Sequence, residues 1–183
     1  MSQTNTPVIL VADDEMDIRT MLRLLLERDG YTVEEARNGE EAVAVCQRRM
    51  PDIVLMDILM PIMDGAAACS HIQVMPGGDQ VPVLMITALN DRQSIDRCFD
   101  AGATDYITKP INNQVLRRRL ARLLRTQQAE AELRASEARL ASIIATATDA
   151  ILLTDADGRI RLFNPAAERI FGYTAAEIID QPI

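Results

Sequence analysis

The sequence predicts an α/β chain whose first two-thirds form a doubly wound, five-stranded parallel sheet, followed by one long helix and a small α+β segment. Three observations carry this reading. Short β-branched runs alternate with longer amphipathic stretches five times before residue 113. Three of the runs, Val8-Ile9-Leu10-Val11, Ile53-Val54-Leu55-Met56 and Val83-Leu84-Met85-Ile86, are continuously apolar, as strands covered by helices on both faces are. From Asn113 to about Ala147 neither Gly nor Pro occurs, and Ala, Leu, Arg, Glu and Gln dominate.

The strands are expected at Val8 to Ala12, Thr32 to Ala36, Asp52 to Met56, Val81 to Thr87 and Asp105 to Thr108, with the three apolar runs in the middle of the sheet. Between them, Met16 to Arg28 places Ile18, Met21, Leu22, Leu25 and Leu26 at helical spacing, and Gly30 follows as a stop signal. Gly39 to Arg49, Gly65 to Val74 and Asp91 to Ala101 read as helices in the same way. Residues 1–7 are polar and expected to be disordered, and the first domain is expected to span residues 8–124.

The long helix, residues 113–147, overlaps the end of that domain. At 1.5 Å per residue it would reach roughly 50 Å, too long to pack along one small domain. Leu116, Leu120 and Leu123 are placed to face the sheet or a partner, and Leu133, Leu140 and Ile144 recur at heptad-compatible intervals interrupted by Gln127 and Glu130. A coiled-coil seam and a solvated single helix both fit. Residues 148–183 then read as a hairpin, Ala150 to Thr154 with Arg159 to Asn164 around Asp157-Gly158, and short helices from Pro165 and Thr174. Two strands and two helical turns enclose little core, so this segment is expected to be the opening part of a domain.

Composition sets limits on function. The chain has 183 residues, 48% hydrophobic and 25% charged, which fits a globular protein of one domain plus an appendage or two small domains. Its net charge of −8 argues against a surface built to coat nucleic acid. The charge is uneven: −9 over residues 1–113, +4 over 114–148 and −3 over 149–183. Cys46, Cys69 and Cys98 have no paired metal-ligand spacing and are odd in number, so a reduced, cytoplasmic setting is expected. No apolar run reaches the roughly 20 residues of a membrane span, and no secretory pattern opens the chain.

Ligands of open α/β sheets bind outside the carboxyl ends of the strands. Here the first strand runs into Asp13-Asp14, the third into Asp57, the fourth into Thr87 and the fifth into Lys109-Pro110. Three crowded carboxylates raise one another's pKa unless a divalent cation neutralises them, and magnesium accepts a few carboxylates together with waters and phosphate oxygens. Asp57 can then act as a nucleophile toward phosphorus, with Lys109 and Thr87 placing positive charge and a donor around the transferred oxygens. Of 19 basic residues, 18 are arginine; the single lysine is Lys109, a compact point charge at that edge.

These residues resemble the receiver domain of two-component response regulators. The resemblance runs from residue 8 to about 124 and implies the flavodoxin-like strand order 2-1-3-4-5. It implies that Asp57, in Asp57-Ile58-Leu59-Met60-Pro61-Ile62-Met63-Asp64-Gly65, is the phosphoacceptor, and that Asp13, Asp14, Asp57 and the backbone carbonyl of Leu59 hold magnesium. It further implies Thr87 as switch hydroxyl, Tyr106 as switch aromatic, and Lys109 before Pro110, a proline that in the family usually follows a cis bond. Ala88, being small, would leave the site open; Pro61, Asp64 and Gly65 complete the loop motif. The donor would be a histidine kinase or phosphotransfer protein, or a small phosphodonor, since His71 lies outside any kinase-type histidine motif.

Ser136 to Leu140, Asp149 to Asp155 and Asn164-Pro165-Ala166-Ala167-Glu168-Arg169-Ile170-Phe171-Gly172-Tyr173 resemble the opening of a PAS sensor domain. Together the resemblances imply a homodimer acting through the receiver face and the helix, with an output beyond this chain; Met85 to Leu89 and Tyr106 to Ile111 resemble receivers of cyclic-di-GMP signalling proteins. Direct DNA binding is not expected, because no helix-turn-helix is visible and the run Arg117, Arg118, Arg119, Arg122 and Arg125 lacks interleaved aromatics and reads as a solvated face. Three alternatives stand beside this reading: a haloacid-dehalogenase-like phosphatase, which would need an acid where Leu59 stands, a hybrid histidine-kinase fragment, and a dimerisation scaffold that is not phosphorylated.

Overall fold

The computed structural model describes residues 6–88 and 92–182, and the expected disorder at residues 1–7 and the expected start of a helix at Asp91 fall wholly or partly outside them. The β-branched runs form β1 (Val8–Ala12), β2 (Thr32–Ala36), β3 (Ile53–Asp57), β4 (Val83–Thr87) and β5 (Asp105–Thr108). All neighbouring pairs are parallel and the order is β2-β1-β3-β4-β5, so the three apolar strands do occupy the centre. Every residue of β1, β3 and β4 is buried.

Alternation along each strand sorts side chains to two faces. Ile9, Val11, Ile53, Leu55, Leu84 and Ile86 pack under α1 (Met16–Arg28) and the first turns of α5 (Asn113–Thr146), through Leu22, Leu26, Leu116, Leu120, Leu123 and Leu124. Leu10, Val54, Met56, Val83 and Met85 face the opposite way, against α2 (Gly39–Arg48), α3 (Gly65–Gln73) and α4 (Arg92–Asp100). The three cysteines are free and buried on that side.

Boundaries shift where side chains compete with the ladder. Asp52 lies just before β3, where its N–H donates to the Val8 carbonyl at 2.8 Å and its carboxylate, rather than a backbone carbonyl, accepts the Val8 N–H at 2.7 Å. Val81 closes a single 3-10 turn, Gly78–Gln80, and Pro82 has no N–H to give, so β4 starts at Val83. At the other end of β3, a Cβ on Gly65 would stand 2.1 Å from the Asp57 carbonyl oxygen; only a residue without one lets α3 begin this close to the strand.

The chain divides into two compact units, residues 1–127 and 128–183. In the second, β6 (Leu152–Thr154) pairs antiparallel with β7 (Ile160–Phe163), followed by α6 (Pro165–Phe171) and α7 (Ala175–Ile178). Asn164 belongs to no strand: its side chain caps α6. Thr174 likewise precedes α7 as its N-cap. Ile160, Phe163 and Ala167 make a small core.

Of the apolar residues singled out along α5, Leu116, Leu120 and Leu123 face the sheet, Leu133 and Leu140 are 60% and 58% exposed, and Ile144 is half-buried. Leu120→Ala is therefore expected to destabilise the first unit by about 2–5 kcal/mol, and Leu140→Ala by under about 0.5 kcal/mol, as read by urea denaturation of the two variants.

Candidate functional site

The parallel register delivers the ends of β1, β3, β4 and β5 to one edge. Asp13 follows β1 directly; its N–H donates to the Ala36 carbonyl at 3.2 Å, its Oδ1 accepts the Glu15 N–H at 2.8 Å, and its side chain is fully buried. Asp14 beside it is exposed. Asp57, the last residue of β3, is 5% exposed and accepts the Ile58 N–H through Oδ1 at 3.0 Å. Carboxylate oxygens of Asp13, Asp14 and Asp57 lie within 4.8 Å of one another.

Lys109, after β5, is placed among them: its Nζ stands 3.1 Å from Asp13 Oδ2, 3.2 Å from Asp57 Oδ2 and 3.5 Å from Glu15 Oε1. One ammonium thus faces three carboxylates, with Asp14 beside two of them. Asp13 Oδ2 is buried and, although Lys109 is close, lacks a partner with hydrogen-bond geometry. The peptide bond from Lys109 to Pro110 is cis, and the Lys109 N–H donates to the Thr87 carbonyl at 2.7 Å.

Burial pushes the Asp57 carboxyl up to about 6; the Lys109 charge works against this and the Asp13 charge adds to it. For Lys109, burial opposes the charged form, but Asp13 and Asp57 outweigh it and raise its pKa. A site that holds buried carboxylates short of positive charge, with one buried oxygen lacking a hydrogen bond, suits a hard divalent cation with oxygen ligands. Asp13, Asp14 and Asp57 are the only such group of potential metal ligands among the described residues.

The remaining predicted residues frame this cluster. Thr87 ends β4 and is buried, followed by exposed Ala88. Tyr106 in β5 is half-buried, edge-on to Phe99 with ring centroids 6.1 Å apart. Leu59 and Pro61 lie exposed in the loop after β3, where Ile62 takes a φ of 70° and the Pro61 carbonyl accepts the Met63 N–H at 2.8 Å. Asp64 caps α3 by accepting the Ala67 N–H at 2.7 Å and also pairs with Arg97 of α4 at 2.6 Å. Burial opposes ionisation there, but these two partners hold the Asp64 carboxyl below its usual range.

Sequence reasoning passed over Arg19 and Glu15. Arg19 is 8% exposed, and its Nη1 donates to the carbonyls of Asp13 at 2.7 Å and Asp14 at 3.0 Å, which fastens the acidic loop to α1. A signal existed: Arg19 shares the i, i+3, i+7 stripe of the buried Leu22 and Leu26, where an arginine must find acceptors. The basic run on α5 also differs from a purely solvated face. Arg117 holds Asp29 through two bonds of 2.6 and 2.9 Å, and Arg119 and Arg122 both hold Asp105. His71 is exposed, with Nδ1 2.8 Å from the Ala67 carbonyl, away from the acidic cluster's contacts.

Comparison with known proteins agrees with this geometry. The response regulator receiver domain model matches residues 9–121, and the PAS fold model matches residues 138–183. Transcriptional regulatory protein ResD of Bacillus subtilis is 40% identical over 125 residues, 68% of this chain and 51% of that protein. Response regulator PleD of Caulobacter vibrioides is 39% identical over 131 residues, 71% of this chain and 29% of that protein. The chain thus spans about half or less of the length of these relatives. Among solved structures, the signal receiver domain of a signal transduction histidine kinase from Syntrophus aciditrophicus superposes with a TM-score of 0.63 at 37% identity, covering 66% of this chain and 92% of that one. The receiver domain of sensor histidine kinase PA1611 from Pseudomonas aeruginosa, solved with a magnesium ion in its active site cleft, gives 0.62 at 31% identity, covering 65% and 98%. No helix among the described residues is long and apolar enough to cross a membrane. A five-stranded sheet in this order, with an acidic cluster and a lysine at its carboxyl edge, places the chain in the response regulator receiver domain family of two-component signalling, followed by a PAS fold segment.

Proposed function

We propose that Asp57 accepts a phosphoryl group and that the modified receiver signals through α5. The observation that carries this is the position of Lys109 Nζ, 3.2 Å from Asp57 Oδ2 and 3.1 Å from Asp13 Oδ2, beside a cluster in which oxygens of Asp13, Asp14 and Asp57 lie within 4.8 Å of one another. Asp13, Asp14 and Asp57, with the Leu59 backbone carbonyl by family resemblance, would hold a magnesium ion, which supplies charge neutralisation for the carboxylates and for phosphoryl oxygens.

An Asp57 carboxylate oxygen forms the new bond to phosphorus while the bond from phosphorus to the donor oxygen or nitrogen breaks, and the donor leaves with that electron pair. Lys109 would balance charge on the phosphoryl oxygens, and the Thr87 hydroxyl, at the end of β4, would donate to them. A phosphoryl group brings about −1.5 to −2 charges. Drawing Thr87 and Lys109 toward it would open space beneath Tyr106, whose half-buried ring now stacks edge-on against Phe99. The donor class is a histidine kinase or phosphotransfer protein. Pairing of two copies through the Tyr106 face and α5 is the proposed readout, with exposed Leu133 and Leu140 in support, and the proposed output is cyclic-di-GMP turnover, supported by the resemblance of residues 85–89 and 106–111. Leu59, aliphatic and 60% exposed, stands where a phosphatase of separate substrates needs an acid.

Incubation with acetyl phosphate and magnesium is expected to add one phosphoryl group by intact mass, with acetate released, and Asp57→Asn to add none. Lys109→Ala is expected to slow the reaction by about 10²-fold or more. An unmodified wild type with acetyl phosphate left intact would point to a receiver acting as an interaction module, and phosphate release without an adduct would point to a phosphatase.

A further inference from the structure

Four backbone groups of the second unit converge on one side chain, that of Asn164. It is 2% exposed. Its Oδ1 accepts the N–H of Ile151 at 2.8 Å and of Ala167 at 2.9 Å, and its Nδ2 donates to the carbonyls of Ile144 at 3.2 Å and Asp149 at 3.0 Å. The Asn164 backbone N–H donates in addition to the Ile151 carbonyl at 3.1 Å. A primary amide offers two donor hydrogens and two acceptor lone pairs, so its capacity is filled. Exchanging oxygen and nitrogen would set an acceptor against two carbonyls and donors against two N–H groups, so only one orientation of the amide satisfies the site.

Most of these bonds are local. The bond to Ala167 caps α6, and those to Ile151 close the base of the β6-β7 hairpin. The bond to Ile144 is of another kind. Ile144 lies in the last turn of α5, where carbonyls have no intrahelical donor. A side chain 20 residues further along supplies it.

We propose that Asn164 is the positioning residue through which the end of α5 is coupled to the hairpin and α6. The coupling rests, for its input, on the phosphorylation reading above; the latch itself stands on the four bonds. α5 is one helix from the buried leucines of the receiver to Thr146. Backbone atoms lie about 2.3 Å from a helix axis, so an axial rotation of about 30° moves the Ile144 carbonyl by about 1.2 Å. A bond of 3.2 Å then no longer holds. The released Nδ2 is buried, and a buried donor left unsatisfied is costly, so the amide must shift. Ile151 and Ala167 are tied to the other end of the same rigid amide and shift with it. A change of helix rotation thereby becomes a change at the start of a strand and the cap of a helix.

The test is hydrogen exchange by mass spectrometry on the whole chain as wild type, Asn164→Asp and Asn164→Ser, with and without acetyl phosphate and magnesium. Asp keeps the acceptors for Ile151 and Ala167 but turns an oxygen toward the Ile144 and Asp149 carbonyls; Ser retains a helix cap and is too short to span to Ile144. Both variants are expected to speed exchange across residues 141–149 by at least tenfold while residues 116–124 stay as in the wild type. The phosphorylated wild type is expected to change its exchange across 144–151 and 164–167, and the phosphorylated variants to show no further change there. Unaltered exchange across 141–149 in both variants would overturn the latch. An adduct confirmed by intact mass with no response in the second unit of the wild type would overturn the coupling. Absence of any adduct would instead count against the phosphorylation reading and against this input to α5, while the exchange of the unphosphorylated variants still decides the latch.

Discussion

Crowding of negative charge around one ammonium at the carboxyl edge of the sheet is the constraint on which the rest of this structure depends. Asp13 and Asp57 are buried, Asp14 lies beside them, and Lys109 alone sits between. Left to themselves such groups would separate or take up water. They stay because β1, β3 and β4 are buried along their whole length and end in register, with Met56 and Asp57 of β3 opposite Met85 and Ile86 of β4. Gly65 lets α3 press against the Asp57 backbone, and Arg19 ties both carbonyls of the acidic pair to α1. The apolar core holds the charges in place, and the raised Asp57 pKa of about 6 records the resulting strain on the ionised form.

Residue pattern made most of this legible because the relevant signals were local. Continuous apolar runs named the central strands, and the residues at their carboxyl ends named the cluster. Arg19, whose acceptors lie five and six positions away, had a local signal in its buried stripe; the other contacts that escaped notice are distant in sequence. Glu15 meets Lys109 across 94 positions and Arg117 meets Asp29 across 88, and nothing within a helical turn announces either. The phase of α5 was read only in part for a similar reason: a heptad pattern continued from Leu116 assigns Ile144 to the seam, whereas tertiary packing uses Leu116, Leu120, Leu123 and Leu124 against the sheet and leaves Leu133 and Leu140 exposed. Strand ends slipped by one or two residues where the Asp52 and Asn164 side chains bond to backbone groups and where Pro82 has no N–H to give.

The two units solve different physical problems. The receiver buries enough apolar surface to bear an unfavourable charge cluster, and a charge change there can be felt by the elements that cluster holds. The second unit has a core of Ile160, Phe163 and Ala167 and relies more on polar ties: Asp155 accepts the N–H of Asp157 and Arg159 and pairs with Arg161, while Asn164 fills its whole hydrogen-bonding capacity. Such ties are directional, so they respond to small displacements that a purely apolar contact would tolerate.

The claim that the core holds a buried carboxylate against its desolvation is tested most directly by the pH dependence of folding stability in wild type and Asp57→Asn, measured by urea denaturation in metal-free buffer. Because the Asp57 pKa is about 6 in the folded chain against 3.8 for an ordinary carboxyl, the folded state binds more protons between those values and loses stability as pH rises through them. The variant lacks this term, so its stability relative to wild type is expected to grow between about pH 4 and pH 7, by up to about 3 kcal/mol for a shift of this size, and the gap is expected to shrink when magnesium is added at pH 7. A difference between variant and wild type that does not change between about pH 4 and pH 7, or that changes in the opposite direction, would contradict the account.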